Sequence, residues 1–381
     1  MLYRTLGKTG VDVSILGFGC MRLPVIDGEV DRIDYDKATE LLHYAIDQGV
    51  NYVDTAYFYH GKTFGQPGQS EPFVGEALSD GWRERVHLAT KFPQQLLKEP
   101  DDFERFLEGQ LERLKTDHID FYLVHGVNGD TWARARDMGV REFLDKAKAD
   151  GPIRFPAFSY HGTAEDFAGV VDDYDWAFAQ IQYNYMDVDY QAGYQGLRYA
   201  ADKGMGIVVM EPLKGGKLAQ NVPGEIQAVF DGTGEQRRPA EWALRYVWNE
   251  PAVSLLLSGM NELDQVIQNL AAAERGVAES LTADEMALFD EARRVMQSKV
   301  KADCSACRYC LPCPSGVDIP GVLASLNASV RWDDTNPWMC GYTVLKGKAS
   351  LCEECGQCTD MCPQGLPIPD LMKEATKTFG S

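Results

Sequence analysis

Between residues 10 and 275 the same pattern recurs: a short run of β-branched and aromatic residues, a polar turn, then an amphipathic stretch of ten to fifteen residues. The apolar runs predict strands at Val13–Gly17, Tyr52–Thr55, Val86–Thr90, Ile119–Val124, Ile153–Ser159, Phe178–Tyr183, Ile207–Met210 and Val253–Ser258. Apolar positions at helical spacing predict helices over Tyr35–Gln48, Asp101–Lys115, Arg141–Asp150, Ala164–Asp172, Tyr194–Lys203, Pro239–Asn249 and Leu263–Ala273. Thr163 stands where a helix cap belongs, Pro239 opens its run, and Gly49 and Gly204 follow helix ends. Eight strand–helix alternations call for parallel strands joined by crossover helices. A (β/α)8 TIM barrel needs about 250 residues or somewhat more, which this region supplies. A doubly wound sheet is the alternative, but Gly17-Phe18-Gly19 stops short of its Gly-x-Gly-x-x-Gly turn.

Near residue 300 the pattern changes. Of ten cysteines, Cys20 stands alone and the rest fall between Cys304 and Cys362. The expected division is therefore a barrel over 1–295 and a small, mostly helical domain over 296–381. The tail reads Cys304-x2-Cys307-x2-Cys310-x2-Cys313-Pro314, then Cys352-x2-Cys355-x2-Cys358-x3-Cys362-Pro363. Three cysteines at successive three-residue steps suit one face of a cubane cluster better than a zinc site, which uses two cysteine pairs. The run resembles two-cluster bacterial ferredoxins, in which each fourth cysteine serves the other cluster. That resemblance implies two [4Fe–4S] clusters, one on Cys304, Cys307, Cys310 and Cys362, the other on Cys352, Cys355, Cys358 and Cys313. The first run has x2 where the ferredoxin pattern has x3, and 38 residues separate the two motifs, which leaves the exchange of fourth ligands open. The segments 314–320 and 363–369 are near-duplicates, each read as an extended proline link ahead of a helix, Gly321–Arg331 and Asp370–Thr378. Cys340 reads as a spare and Cys20 as a small core residue.

Composition narrows the function classes. The chain has 381 residues, 45% hydrophobic, and a formal charge of −20. That charge repels phosphate backbones and anionic lipid, so neither nucleic acid nor a membrane is an expected partner. No apolar run reaches the ~18 residues of a spanning helix, and MLYRTLGKTG has no signal-peptide core, so a soluble cytoplasmic protein is expected.

In a TIM barrel the reactive groups lie at the C-terminal ends of the strands. There the chain carries Asp54 and, five residues on, Tyr59; then Lys91; then His125. A lysine beside a phenol favours the phenolate and is expected to lower the phenol pKa from ~10. The set can deliver a proton to a developing alkoxide while His125 bonds the substrate oxygen. The segments NYVDTAYFY, LATK and DFYLVH, with the opening YRTLGKTGVDVSILGFGCMRL, resemble the signatures of the aldo/keto reductase family over residues 3–275. The resemblance implies a metal-free barrel that reduces carbonyls with NAD(P)H, with Tyr59 as proton donor of a tetrad completed by Asp54, Lys91 and His125. It further implies cofactor contacts at Ser159, Gln180, Glu211, Gly215, Gly216, Gly259, Gln265 and Asn269.

Two positions depart from the family pattern. Met210 or Glu211 stands where many members stack a tyrosine on the nicotinamide. The stretch Leu257–Asn269, where NADPH-selective members carry a base, has none and offers Glu262 and Asp264. NADPH, NADH and FMN therefore stay open. So does the way single-electron clusters would meet a two-electron hydride donor, for which a flavin is the natural converter. Three functions are weighed: a nicotinamide-dependent reductase of a small aldehyde, ketone or enone; a flavin- or ferredoxin-linked reductase with an electron-transfer partner protein; and a non-catalytic iron–sulfur interaction protein.

Overall fold

The computed structural model describes residues 1–63, 65–220, 222–232 and 237–380. The chain opens with an antiparallel hairpin, β1 (Tyr3–Thr5) and β2 (Asp12–Ser14). Eight parallel strands follow: β3 (Leu16–Gly19), β4 (Tyr52–Asp54), β5 (His87–Phe92), β6 (Ile119–Val127), β7 (Ile153–Tyr160), β8 (Phe178–Gln182), β9 (Gly206–Met210) and β10 (Val253–Ser258). They close in sequence order, with β10 pairing β3 at Leu257↔Gly17 and Ser258↔Phe18.

Most expected elements lie within two residues of their predicted bounds; three differences have physical causes. The predicted strand Val13–Gly17 is two elements. Ser14 breaks it: its Oγ donates to Leu16 O (2.7 Å) and accepts from Asn51 N (3.1 Å), turning the chain from hairpin to barrel. Strands β5 and β6 run past their predicted ends, which places Lys91 and His125 inside strands. The helix Ser70–Ala77 escapes a periodicity reading because it is buried nearly all round, Glu71 included.

Strand alternation explains both the barrel core and the position of its polar groups. Inward-facing Tyr52, Ala89, Phe121, Leu123, Ala157, Phe178, Val208 and Leu255 form one buried cluster. Two residues further along their strands, the same face presents Asp54, Lys91, His125, Ser159, Gln180 and Met210. The barrel interior is thus apolar below and polar at its C-terminal rim.

The helices Ser70–Ala77 and Asp102–Leu114 pack so closely that a Cβ on Gly75 would lie 2.3 Å from Arg113 O. Gly75→Ala is therefore expected to destabilise the fold by about 1–3 kcal/mol, the usual range for overpacking, as read by a denaturant melt.

By internal contacts the chain forms two compact units, Met1–Gln220 with Arg237–Thr282, and Asn221–Gln236 with Ala283–Ser381. In the second, helices Ile319–Trp332 and Ile368–Phe379 share a core that includes Val322, Leu326, Met372 and Ala375, with Tyr342 stacked on Phe379 at 4.7 Å. The closing Ile-Pro of each near-duplicate lies in the first helical turn, where proline loses no hydrogen bond, so the helices begin earlier than expected. The helix Gly224–Asp231, which lies in the sequence between β9 and β10, belongs to this unit. Its Phe230 ring lies 5.4 Å from Phe289 in helix Ala283–Ser298. Among the described residues no helix is long and apolar enough to cross a membrane.

Candidate functional site

The rim gathers the four groups singled out in the sequence. Lys91 and Asp54 are almost fully buried, and Lys91 Nζ donates to Asp54 Oδ1 (2.6 Å), to Thr55 O (2.9 Å) and to Tyr59 OH (3.0 Å). Burial works to pull Lys91 down, but Asp54 and then Tyr59 outweigh it and hold the ammonium above its usual value. Tyr59 differs from expectation. Burial pushes its phenol above 10 and outweighs the opposite pull of Lys91, so the lysine moderates a rise and produces no net fall. The His125 ring lies edge-on to Tyr59, centroids 6.1 Å apart. Burial, then the charges of Lys91 and His161, hold His125 well below 6.5, as a neutral imidazole. Its Nδ1 is buried without a hydrogen-bond partner. Its carbonyl accepts from Gln94 Nε2 (3.0 Å) and Gln95 Nε2 (2.9 Å), which fixes the strand end.

The residues implied as cofactor contacts fall into two groups. At the inner rim, Ser159 Oγ accepts from Gly126 N (2.9 Å), while Gln180 Oε1 is buried without a hydrogen-bond partner. Glu211, Gly215, Gly216, Gly259 and Gln265 line one cleft past the ends of β9 and β10. Asn269 does not line it: buried behind, it donates from Nδ2 to Ser258 Oγ (3.0 Å), and Ser258 does line the cleft. Two cations appear here that the stretch 257–269 could not show. Arg22 lines the cleft and pairs with Glu211 (3.1 Å), and Lys37 pairs with Glu262 (2.7 Å).

In the C-terminal unit the cysteines surround two cavities. One is lined by Cys304, Cys307, Cys310 and Cys362, the other by Cys313, Cys352, Cys355 and Cys358, with Cys310 at the border of both. Fourth cysteines thus stand with the opposite triplet. Among the described residues no three His, Cys, Asp or Glu side chains converge as a single ion requires; four thiolates on one zinc lie about 3.8 Å apart, given Zn–S of about 2.3 Å. Cys340 Sγ donates to Asp334 O (3.0 Å) away from both cavities, and Cys20 is fully buried.

Residues 15–294 match the aldo/keto reductase family. The chain belongs to that family. Residues 303–366 match a 4Fe-4S dicluster domain. The uncharacterised oxidoreductase YqkF of Bacillus subtilis is 25% identical over 336 residues, covering 80% of this chain and 98% of the relative. L-galactose dehydrogenase of Arabidopsis thaliana is 27% identical over 309 residues, covering 75% and 92%. Among solved structures, the holo form of an aldo-keto reductase from Bacillus halodurans superposes with a TM-score of 0.63 at 27% identity, covering 77% of this chain and 96% of that one.

This aldo/keto reductase is accordingly an oxidoreductase with an iron–sulfur domain at its C-terminal end. The side chains that sequence reasoning missed are Arg22, Lys37, Gln94 and Gln95. Arg22 reaches the cleft, and Lys37 reaches Glu262 in the turn after β10, because the barrel closes β10 against β3. The glutamines sit in a short turn, Gln94–Leu96, with no period to reveal which way they point.

Proposed function

We propose that this enzyme reduces an aldehyde or ketone with NAD(P)H at Asp54, Tyr59, Lys91 and His125, and holds two [4Fe–4S] clusters on the two cysteine sets. The observation that carries the reading is the single ammonium, Lys91, bonded at once to a buried carboxylate and to the phenol. A nicotinamide, when bound, supplies the hydride. Gln180 Oε1, an acceptor without a partner at the rim, suits an amide N–H, and a cleft with glycines at 215, 216 and 259 suits a phosphate chain that must lie close to the backbone. Tyr59 gives its proton to the carbonyl oxygen as the bond order falls. Lys91 stabilises the phenolate left behind, and Asp54 keeps Lys91 charged in a buried site. Neutral His125 bonds the same oxygen without competing for the proton.

The sign of the pH dependence follows. Reduction needs Tyr59 protonated, and its pKa lies above 10, so turnover is lost only as pH rises through that raised value. His125 stays neutral through 6.5 and contributes no acidic limb there. A kcat/KM profile for propanal reduction is expected to be flat from about pH 6 to pH 10 and to fall beyond. A limb near 6.5 would remove His125 from this role.

A second reading places FMN in the barrel, fed by cluster electrons. Its support is the absence of a stacking aromatic at Met210, where Gln180 Nε2 meets the thioether at 3.7 Å. Resolved flavin bands in the spectrum of anaerobically purified protein would favour it over the nicotinamide reading.

A further inference from the structure

The two cysteine loops of the C-terminal unit share a frame and differ in charge. In 304–310 the residues on either side of the middle cysteine, Ala306 and Arg308, are left-handed, with φ of 54° and 64°. In 352–358 the same holds for Glu354 and Gly356, with φ of 59° and 78°. Exposure matches as well. In each set of four the middle thiol of the triplet, Cys307 or Cys355, is exposed, and the other three are half-buried.

The charges do not match. Cysteines aside, Arg308 is the one charged side chain among the described residues that line the Cys304 cavity, and Glu353 is the one that lines the Cys352 cavity. Glu354, next along from Glu353, is paired with Lys373 (2.7 Å) and adds no net charge. Arg308 and Glu353 have no ion pair among the described residues, so no neighbour cancels either charge. Asp303 and Asp360, which flank the loops, line neither cavity. A cluster gains one negative charge when it is reduced, so a nearby cation favours its reduction and a nearby anion opposes it.

We infer that Arg308 and Glu353 give the electron path a direction: the site on Cys304, Cys307, Cys310 and Cys362 is reduced first, and electrons run to it from the site on Cys313, Cys352, Cys355 and Cys358. In that transfer the second site loses one electron, the first gains it, and no proton moves. A low-potential one-electron donor supplies the electron. Ala306 N–H donates to Cys304 Sγ (3.4 Å), which pushes the same way. The inference rests on the two-cluster reading proposed above. Both side chains are exposed, so water and salt screen them. Each is expected to change the reduction equilibrium of its own site about three- to tenfold, or about 30–60 mV at 59 mV per tenfold for one electron.

The test is a dithionite titration of the full-length, cluster-loaded protein, followed by electron paramagnetic resonance. The wild type should show two one-electron steps. Cys355→Ala, which keeps the site beside Arg308, should retain the step at higher potential, and Cys307→Ala the lower one. Arg308→Ala should lower the higher step alone, Glu353→Gln should raise the lower step alone, and Arg308→Lys should leave both in place. Both shifts should shrink from about 0.01 M to about 1 M salt, as the Debye length falls from about 30 Å to about 3 Å. Coincident or reversed steps, a shift of the wrong step, or no shift in either charge variant overturns the inference while leaving two clusters standing. A chain that takes up iron for no more than one cluster overturns the two-cluster reading and this inference with it.

Discussion

Replacing Tyr59 by phenylalanine is expected to lower kcat/KM for carbonyl reduction by about 10²–10⁴-fold, the usual contribution of a positioned acid, with no loss of iron. The substitution removes one atom. The ring keeps its edge-on contact with His125, and the Lys91 ammonium keeps Asp54 and Thr55 O as partners. Changing Lys91 instead would leave the Asp54 carboxylate buried and unpaired, at a cost of about 3–5 kcal/mol that would confuse catalysis with folding. Phenylalanine at 59 is thus the cleaner probe. Steady-state assays with NADH and NADPH, alongside iron analysis, give the answer. Turnover within tenfold of the wild type would remove Tyr59 as donor.

Cysteine substitutions are expected to show which thiolates belong together. Cys307→Ala should lose one of two clusters, about half of the iron, as should Cys355→Ala; both side chains are exposed, so neither opens a cavity in the core. The decisive pairs cross the two motifs. Cys304→Ala with Cys362→Ala should lose no more iron than either alone, because both line one cavity. Cys313→Ala with Cys362→Ala should lose all of it, because they line different ones. If the pairing instead followed sequence order, Cys304→Ala with Cys313→Ala would be the pair that spares half. Iron and sulfide per chain, with the visible absorbance of anaerobic preparations, distinguish these patterns.

The tetrad and the cysteine runs were legible because their chemistry is written in short-range spacing. Asp54, Lys91 and His125 each end an apolar run, and strand alternation carries that position to the rim. The cysteines repeat at three-residue steps. The phenol pKa was misjudged because spacing shows a neighbouring lysine but not how deep the phenol lies, and at Tyr59 depth decides. Arg22 was invisible as a cleft residue for another reason. Only barrel closure brings the loop after β3 beside Gly259, and no local pattern announces a contact between residues so far apart in the chain. Helix Ser70–Ala77 was missed because a helix buried nearly all round, with Glu76 its one exposed position, has no polar stripe to mark its period.

The helix Gly224–Asp231 sets a condition on dissecting this enzyme. Cutting the polypeptide after Thr282 would not release a clean cylinder. It would remove the Phe289 ring that packs on Phe230 and uncover part of the face that carries Ile226 and Phe230, leaving a sticky flap on the loop that follows β9. The iron–sulfur portion is sewn into the reductase by two stretches of chain. A soluble fragment requires that both be snipped, with a short bridge grafted across 221–236.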